Sequence, residues 1–550
     1  MDRHLLTVWR SVSSGSIRLD ELTELLGLSR KQTARYLQKW TKEGWLIFTS
    51  GLGRGKASKI QWQKNVEEVY EDLVMKMIDE EPVETIGKYL LYEWSSDSKM
   101  RLMNKFHSKF GYNQSTNHMD KLIIPRRYTF LTMHPLEAAE VHSASLVANL
   151  FNRLVAIDEK GMVSPELAHS WDVTPSKLRL YLRKDIKFHD ASILTAEDVK
   201  FCLEKLRCHK HFRDLWEPIQ RIEIVAPLVI DIEFPNGCSY CLQLLGTLTA
   251  SIYKETKGQL LGTGAFYLEE SNDLKTTICA FKDYFLERPL LDAVEFVQVP
   301  KDFDTAYRSA TKDPVDGTFQ VESSSGFGVV IMNAFRDSQI QCKEVRDYLH
   351  YVIAKHRHEI PLVHSRAWAN DKSCLIGHDQ QYKVPVMQRP HFSEPLILKG
   401  VNYTEKTTMW LKEVFEKEGV PVEVTWLPFA ETVQNSPRNQ EADLFIHGEV
   451  FELNQDLSFY YFLKNGYSPL AKMIEADETA SMYLKEYVHT PFEKWTTLNL
   501  RMERALLEAS LMIPLYYEKR QIPFSTDLMN VNIKHFGYVD FSKLWVRPEL

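Results

Sequence analysis

The chain has 550 residues, 44% of them apolar and 26% charged, with a formal net charge of −7. That balance is ordinary for a soluble globular protein, and the length implies two to four domains, each able to bury a core without covalent staples. Seven cysteines are too few, and odd in number, for a disulfide framework, and no run of about 18 apolar residues exists to cross a bilayer.

The first residues, from Met1 to Leu22, lack both the apolar core of a secretion signal and a small-residue cleavage site. With the sparse cysteines, this gives the expectation of a cytoplasmic protein. Charge is unevenly spread. Residues 1–63 hold eleven Lys or Arg against five Asp or Glu, a surplus of six positive charges, so the remainder carries −13. A small basic module on a large acidic body is the polarity of a fused DNA-binding domain.

Residues 1–63 predict three short helices followed by two strands. Leu5, Leu6, Val8 and Trp9 give the first helix an apolar face, and Leu22, Leu25 and Leu26 give one to the second, over Asp20–Leu26. Gly27 ends that helix. Ser29 and Gln32 then form a capping box, S-x-x-Q, opening a third helix that runs to Glu43. Trp45–Thr49 and Ser58–Trp62 read as strands around a Gly-rich basic tip. This is the layout of a winged helix-turn-helix, whose second helix of the pair enters the major groove. Thr33, Leu37 and Trp40 pack inward, leaving Arg30, Lys31, Gln32, Arg35 and Lys39 as DNA contacts, with Arg54 and Lys56 on the wing tip. Arg and Gln suit base edges, and Lys suits phosphates. The implied partner is double-stranded DNA, with a homodimer on the DNA as one arrangement.

Residues 64–118 predict a helical connector, with Val66, Val69, Tyr70, Leu73 and Met77 on one face and Asn113–His118 as a linker. From 119 to 550 strand-like runs (Lys177–Leu182, Val329–Asn333) alternate with helical ones (195–208, 405–419), which predicts α/β architecture.

Within that body, Pro165-Glu-Leu-Ala168 with Ser170-Trp171, Leu182-Arg-Lys184 with Phe188-His-Asp190, Thr195-Ala-Glu-Asp-Val199, Gly262-Thr-Gly264 before Ala265-Phe-Tyr267, and Ile513-Pro-Leu-Tyr-Tyr517 occur in order. Residues 120–550 thereby resemble the family 5 extracellular solute-binding proteins. Two turn positions depart from that pattern, Ala191 and Ala265 standing where the family has Gly and Pro. The resemblance implies a two-lobed, class II periplasmic-binding-protein-like fold, the second lobe formed by about 328–500 and the C-terminal segment returning to the first. A winged helix on such a body is similar to the SgrR-type transcriptional regulators, which implies a regulator sensing a small polar solute, sugar or sugar phosphate. The alternatives are an oligopeptide receptor of an ABC transporter and an adaptor that does not bind DNA.

Peptide-binding members of the solute-binding family carry a G-W-x-x-D segment. Gly448-Glu-Val-Phe-Glu452 matches its spacing with Glu449 at the Trp position and Glu452 at the Asp position. That implies Glu449, Glu452 and Tyr516 as ligand contacts, for a small polar ligand, carbohydrate-like or cationic, and not an oligopeptide. Cys238-x-x-Cys241, with Cys208, His209 and His211 nearby in sequence, reads as ordinary core cysteines and not a metal site, and His356-Arg-His358 as a solvated helix end. No nucleophile elbow or H-E-x-x-H occurs; no enzyme activity and no cofactor are expected.

Overall fold

The computed structural model describes the whole chain except residues 52–56, 108, 115–118, 128, 159, 301–317, 361–366, 380–381, 429–430, 433–440, 451–453, 466–468, 526–527, 532, 535–537 and 547–550. The N-terminal module runs α1 (Arg3–Ser11), β1 (Gly15–Ile17), α2 (Leu19–Leu26), α3 (Arg30–Lys42), β2 (Leu46–Thr49) and β3 (Ser58–Trp62). The sequence reading missed β1, which is three residues long and pairs antiparallel with β3, giving the sheet order β1-β3-β2. Gly27 closes α2 in the left-handed region at φ 62° and donates to Glu24, while Leu28 N donates to Thr23 O. A β-carbon disfavours that backbone, so the turn between the paired helices takes a glycine. The capping box is present: Ser29 Oγ accepts from Gln32 N, and Gln32 Oε1 accepts from Ser29 N.

The connector is three helices, α4 (Val66–Glu80), α5 (Val83–Leu90) and α6 (Ser96–His107). The buried stripe of α4 is Val66, Tyr70, Val74 and Ile78, whereas Val69 and Leu73 are exposed. The sequence pattern contains both an i, i+3 and an i, i+4 row, and packing selects the second. Asn113 and Gln114 are no linker. They belong to β4 (Gly111–Gln114), which pairs antiparallel with β5 (Asp120–Arg126). β4 thus extends a five-stranded sheet of the solute-binding-like body, whose other strands are Ala293–Gln298, Lys275–Ala280 and Phe266–Ser271.

The first lobe adds a four-stranded antiparallel sheet, Arg221–Ala226, Val229–Glu233, Lys177–Leu182 and Ala168–Thr174 in spatial order. The second lobe is built on a six-stranded sheet. Its order is Ala367–Ala369, Met512–Ser525, Thr318–Met332, Leu444–Val450, Leu396–Gly400 and Val422–Trp426. The last three strands run parallel to one another, and the long pair Thr318–Met332 and Met512–Ser525 is antiparallel. The chain then returns to the first lobe: Asn149 Nδ2 donates to Val539 O at 3.0 Å, and Phe541 N donates to Asn149 Oδ1 at 3.1 Å. The two-lobed α/β expectation holds, with the second sheet extending past 500 to Ser525.

Candidate nucleic-acid interface and ligand site

Helix α3 buries Thr33, Leu37 and Trp40. With 100° per residue, the stripe directly opposite is Lys31, Arg35, Gln38 and Lys42. All four are exposed, and among the described residues no hydrogen bond or ion pair engages them. Gln38 and Lys42 escaped the sequence reading, although their spacing from Lys31 and Arg35 places them on the same line.

The other sequence candidates have structural partners. Arg30 sends Nε and Nη2 to the two oxygens of Asp20, each at 2.6 Å, bracing the start of α3 against α2. The Gln32 amide oxygen is held in the capping box by Ser29 N and Ser29 Oγ, at 3.1 and 2.8 Å. Lys39 Nζ meets Asp2 Oδ2 at 3.3 Å, and Asp2, accepting its hydrogen bond, raises the Lys39 pKa. Asp2 also accepts from Trp40 Nε1 at 3.0 Å and caps α1, while its N–H donates to Tyr70 Oη of the connector. Three helices therefore converge on one residue, α1 and α3 through its carboxylate and α4 through its backbone N–H. Arg54 and Lys56 lie outside the described residues. The wing's root is fixed to α1 by Trp62 Nε1 donating to Val12 O at 2.8 Å and by the Trp9–Trp62 edge contact at 4.9 Å.

In the second lobe, parallelism brings the carboxyl ends of the Leu396, Val422 and Leu444 strands together, the usual place for a ligand on such a sheet. The register Tyr517–Phe327–Glu449 crosses three strands in one row, and Tyr516–Gly328–Gly448 is the neighbouring row. Successive residues of a strand face opposite ways. Glu449 therefore shares its face with Phe327, while Tyr516 lies across Gly328 on the other, where a β-carbon on Gly328 would meet its ring at 2.3 Å. The structure does not bring Tyr516 and Glu449 together. Glu452 lies outside the described residues.

Glu449 instead pairs with His447, Nε2 to Oε2 at 3.6 Å, and the His447 ring contacts Phe462 at 5.1 Å. One strand over, Lys399 is buried beside Phe445, its ammonium 5.3 Å from that ring, and burial draws its pKa down to about 8. At the strand ends stand two exposed aromatics, Tyr403 just past the Leu396 strand and Trp426 as the last residue of its own, lying across Gly400. Sequence reasoning missed Lys399 and His447 because nothing marks an isolated basic residue in a buried strand as a site.

Other expectations are corrected or refined. His356 and Arg357 are buried and not a solvated end; His356 is held between Glu359 Oε1 at 2.9 Å and Glu418 Oε1 at 2.8 Å. Cys238 and Cys241 are buried, whereas Cys208 is exposed.

The described helices include none long and apolar enough to cross a membrane. Two family profiles match the chain. "Sugar transport-related sRNA regulator N-term" matches residues 5–113, taking in the winged helix and the whole connector. "Bacterial extracellular solute-binding proteins, family 5 Middle" matches residues 162–323. The HTH-type transcriptional regulator SgrR of Yersinia pestis (strain Pestoides F) is 23% identical over 100% of this chain and 99% of its own length. That of Photorhabdus laumondii is 22% identical over 96% and 95%. The chain has the architecture of the SgrR-type transcriptional regulators. Among solved structures, the two-lobed body of this chain resembles a dipeptide-binding protein from Pseudoalteromonas sp. SM9913 in complex with Met-Leu, with TM-score 0.64 and 15% identity over 78% of this chain and 100% of that one. It also resembles the periplasmic binding protein AgaA of A. tumefaciens R10 in complex with agropinic acid, with TM-score 0.63 and 16% identity over 78% and 99%. These likenesses establish the two-lobed fold.

Proposed function

We propose that this SgrR-type chain is a cytoplasmic regulator that reads double-stranded DNA through the outward stripe of α3 and responds to a small polar solute held by its two-lobed body. The observation that carries the first half is the row Lys31, Arg35, Gln38 and Lys42, without side-chain partners among the described residues and set opposite the buried face of a capped helix. Arg35 and Gln38 have the donor geometry for base edges, and Lys31 and Lys42 suit flanking phosphates. Arg30, Gln32 and Lys39 hold the helix in place and orient the row. Arg54 and Lys56 are proposed to reach the DNA backbone from the wing, and a homodimer is proposed to set the two halves of a site.

Fluorescence anisotropy with full-length protein tests this. Arg35→Ala is expected to weaken specific binding by about 1–3 kcal/mol. Lys42→Ala is expected to weaken all sequences alike and to flatten the salt dependence by roughly one phosphate contact. Salt-independent binding, or none, overturns the reading.

For the solute, Glu449 and its partner His447 supply hydrogen-bonding groups for hydroxyls, and the Lys399 ammonium on the same face offsets the Glu449 charge. That tempers the repulsion two acidic side chains alone exert on a phosphorylated ligand, so sugars and sugar phosphates both fit the proposal. A ligand at 100 times its Kd adds roughly 2.7 kcal/mol of stability, readable as a thermal shift. Submicromolar binding of ordinary oligopeptides, indifferent to Glu449→Gln, overturns both the ligand class and the site.

A further inference from the structure

A cavity away from the strand ends of the second lobe opens between the first lobe and residues 489–493. It measures about 360 Å³. Its first-lobe wall comes from Val173, Phe234 and the short helix Cys241–Leu245; its other wall comes from His489, Pro491 and Phe492. The two walls are tied together beside it. Ser239 N donates to Val488 O at 2.9 Å, and Ser239 Oγ donates to Tyr487 O at 2.7 Å. Tyr240, Tyr460, Tyr487 and Trp495 pack as a buried cluster behind the seam, with edge contacts between Tyr240 and Tyr460 and between Tyr487 and Trp495 and a tilted one between Tyr460 and Tyr487.

The lining is mixed: Ser239, His489 and Glu493 stand in it unburied among apolar side chains, and its one buried polar side chain is Gln243. Gln243 is only 8% exposed, and its Oε1 is shielded from solvent with no hydrogen-bond partner. Buried amide oxygens are nearly always satisfied, so an orphan beside a cavity marks a place for a donor. That oxygen does not border the space as it stands, and the proposal requires rotation about the soft terminal torsion of Gln243 to present it there. Cys238 and Cys241 also line the cavity, the hydrogen bond with Cys238 and then burial holding the Cys241 pKa high. They act there as small hydrophobes. The lining includes no Lys or Arg among the described residues, and Glu493 stands in it exposed, so the chemistry disfavours an anion. The volume sits at the low end for small-molecule pockets.

We propose that this seam is a binding site for a small neutral aromatic molecule carrying one N–H or O–H donor, with its ring among Phe234, Leu242 and Phe492 and its donor on Gln243 Oε1. Such a ligand touches both lobes, so it biases their arrangement by its differential affinity. The site stands independently of the sugar reading.

The test is calorimetry on the full chain with indole and 1-methylindole, which differ by the donor. Indole is expected to bind, with 1-methylindole at least about tenfold weaker, the discrimination of one well-placed hydrogen bond to a buried group. Gln243→Leu is expected to make the two equal. Val173→Trp, an exposed position that tolerates substitution, is expected to fill the cavity and abolish both. The proposal is overturned by absence of indole binding, by equal affinities in the unmodified protein, or by binding that survives Val173→Trp.

Discussion

At the scale of single residues, the structure separates positions that read a partner from positions that hold a shape. Composition showed that α3 is basic but not that Arg30 is spent on Asp20 or Lys39 on Asp2. Those pairings depend on α2 and the chain start folding back onto α3. Ala191 is a different case. It stands where the solute-binding family has Gly, and it adopts φ 65° in a tight turn in which its N–H donates to Phe188 O. A β-carbon there costs about 1–2 kcal/mol, partly offset by the lower chain entropy of Ala against Gly. Ala191→Gly is expected to stabilise the protein by about 0.5–1 kcal/mol, measured by denaturant unfolding. Three histidines add a pH dependence. Burial draws His189 and His211 to about 4 and His350 to about 3. They fold neutral, whereas the unfolded chain takes up protons below about 6.5. The unfolded state thus binds more protons as pH falls from 6.5 toward 4, and stability is lost through that window. The loss at pH 5 is on the order of 1–2 kcal/mol for a well-buried histidine such as His350. His350→Gln is expected to make unfolding free energy fall less between pH 7 and pH 5; an unchanged difference contradicts the assignment.

At the scale of elements, legibility followed the strength of the local signal. Ser58–Trp62 and Lys177–Leu182 are strands as predicted because alternation and turn residues agree there. The helix Ala196–Arg207 starts where Thr195 and Asp198 cap it, at the predicted position. β1 and β4 were missed because three or four residues carry no periodicity, and each exists only through a distant partner, β3 or β5. The ligand candidates failed differently. Spacing found Glu449, but the sheet register, invisible in sequence, places Tyr516 on the opposite face and Lys399 with His447 on the same one. The capping box of α3 was legible, and it has a consequence for binding. Ser29→Ala removes the acceptor for Gln32 N and releases the Gln32 side chain from Ser29 Oγ. A loss of about 0.5–2 kcal/mol is expected from chemical denaturation of the full chain. DNA affinity should fall with it while its salt slope stays the same, since no phosphate contact is removed. A changed slope places Gln32 or its neighbours on the DNA instead.

At the scale of the whole molecule, the winged helix is not tethered loosely to its sensor. One continuous apolar core joins Leu37, Trp40 and Ile60 of the head, Tyr70, Ile86 and Phe106 of the connector, and Ile123, Val297 and Val299 of the five-stranded sheet. Those last three side chains, at about 1.5–3 kcal/mol each for full burial, are comparable with the 5–15 kcal/mol that stabilises a whole domain. Head and first lobe are therefore expected to unfold in one calorimetric transition. A close approach is at Gly87 in α5, where an added β-carbon would lie 2.8 Å from the backbone oxygen of Gln298. Neither backbone can yield without moving the helix off the sheet. Gly87→Leu is thus expected to split the transition, the head melting separately at lower temperature, while Gly15→Ala, which meets nothing within 4 Å, leaves it single. A ligand of the sensor should then shift only the remaining transition in Gly87→Leu but the shared one in the unmodified protein. Two resolved transitions before any substitution, or one unaltered transition after Gly87→Leu, rule out this packing as the route by which the sensor reaches the DNA-binding helix.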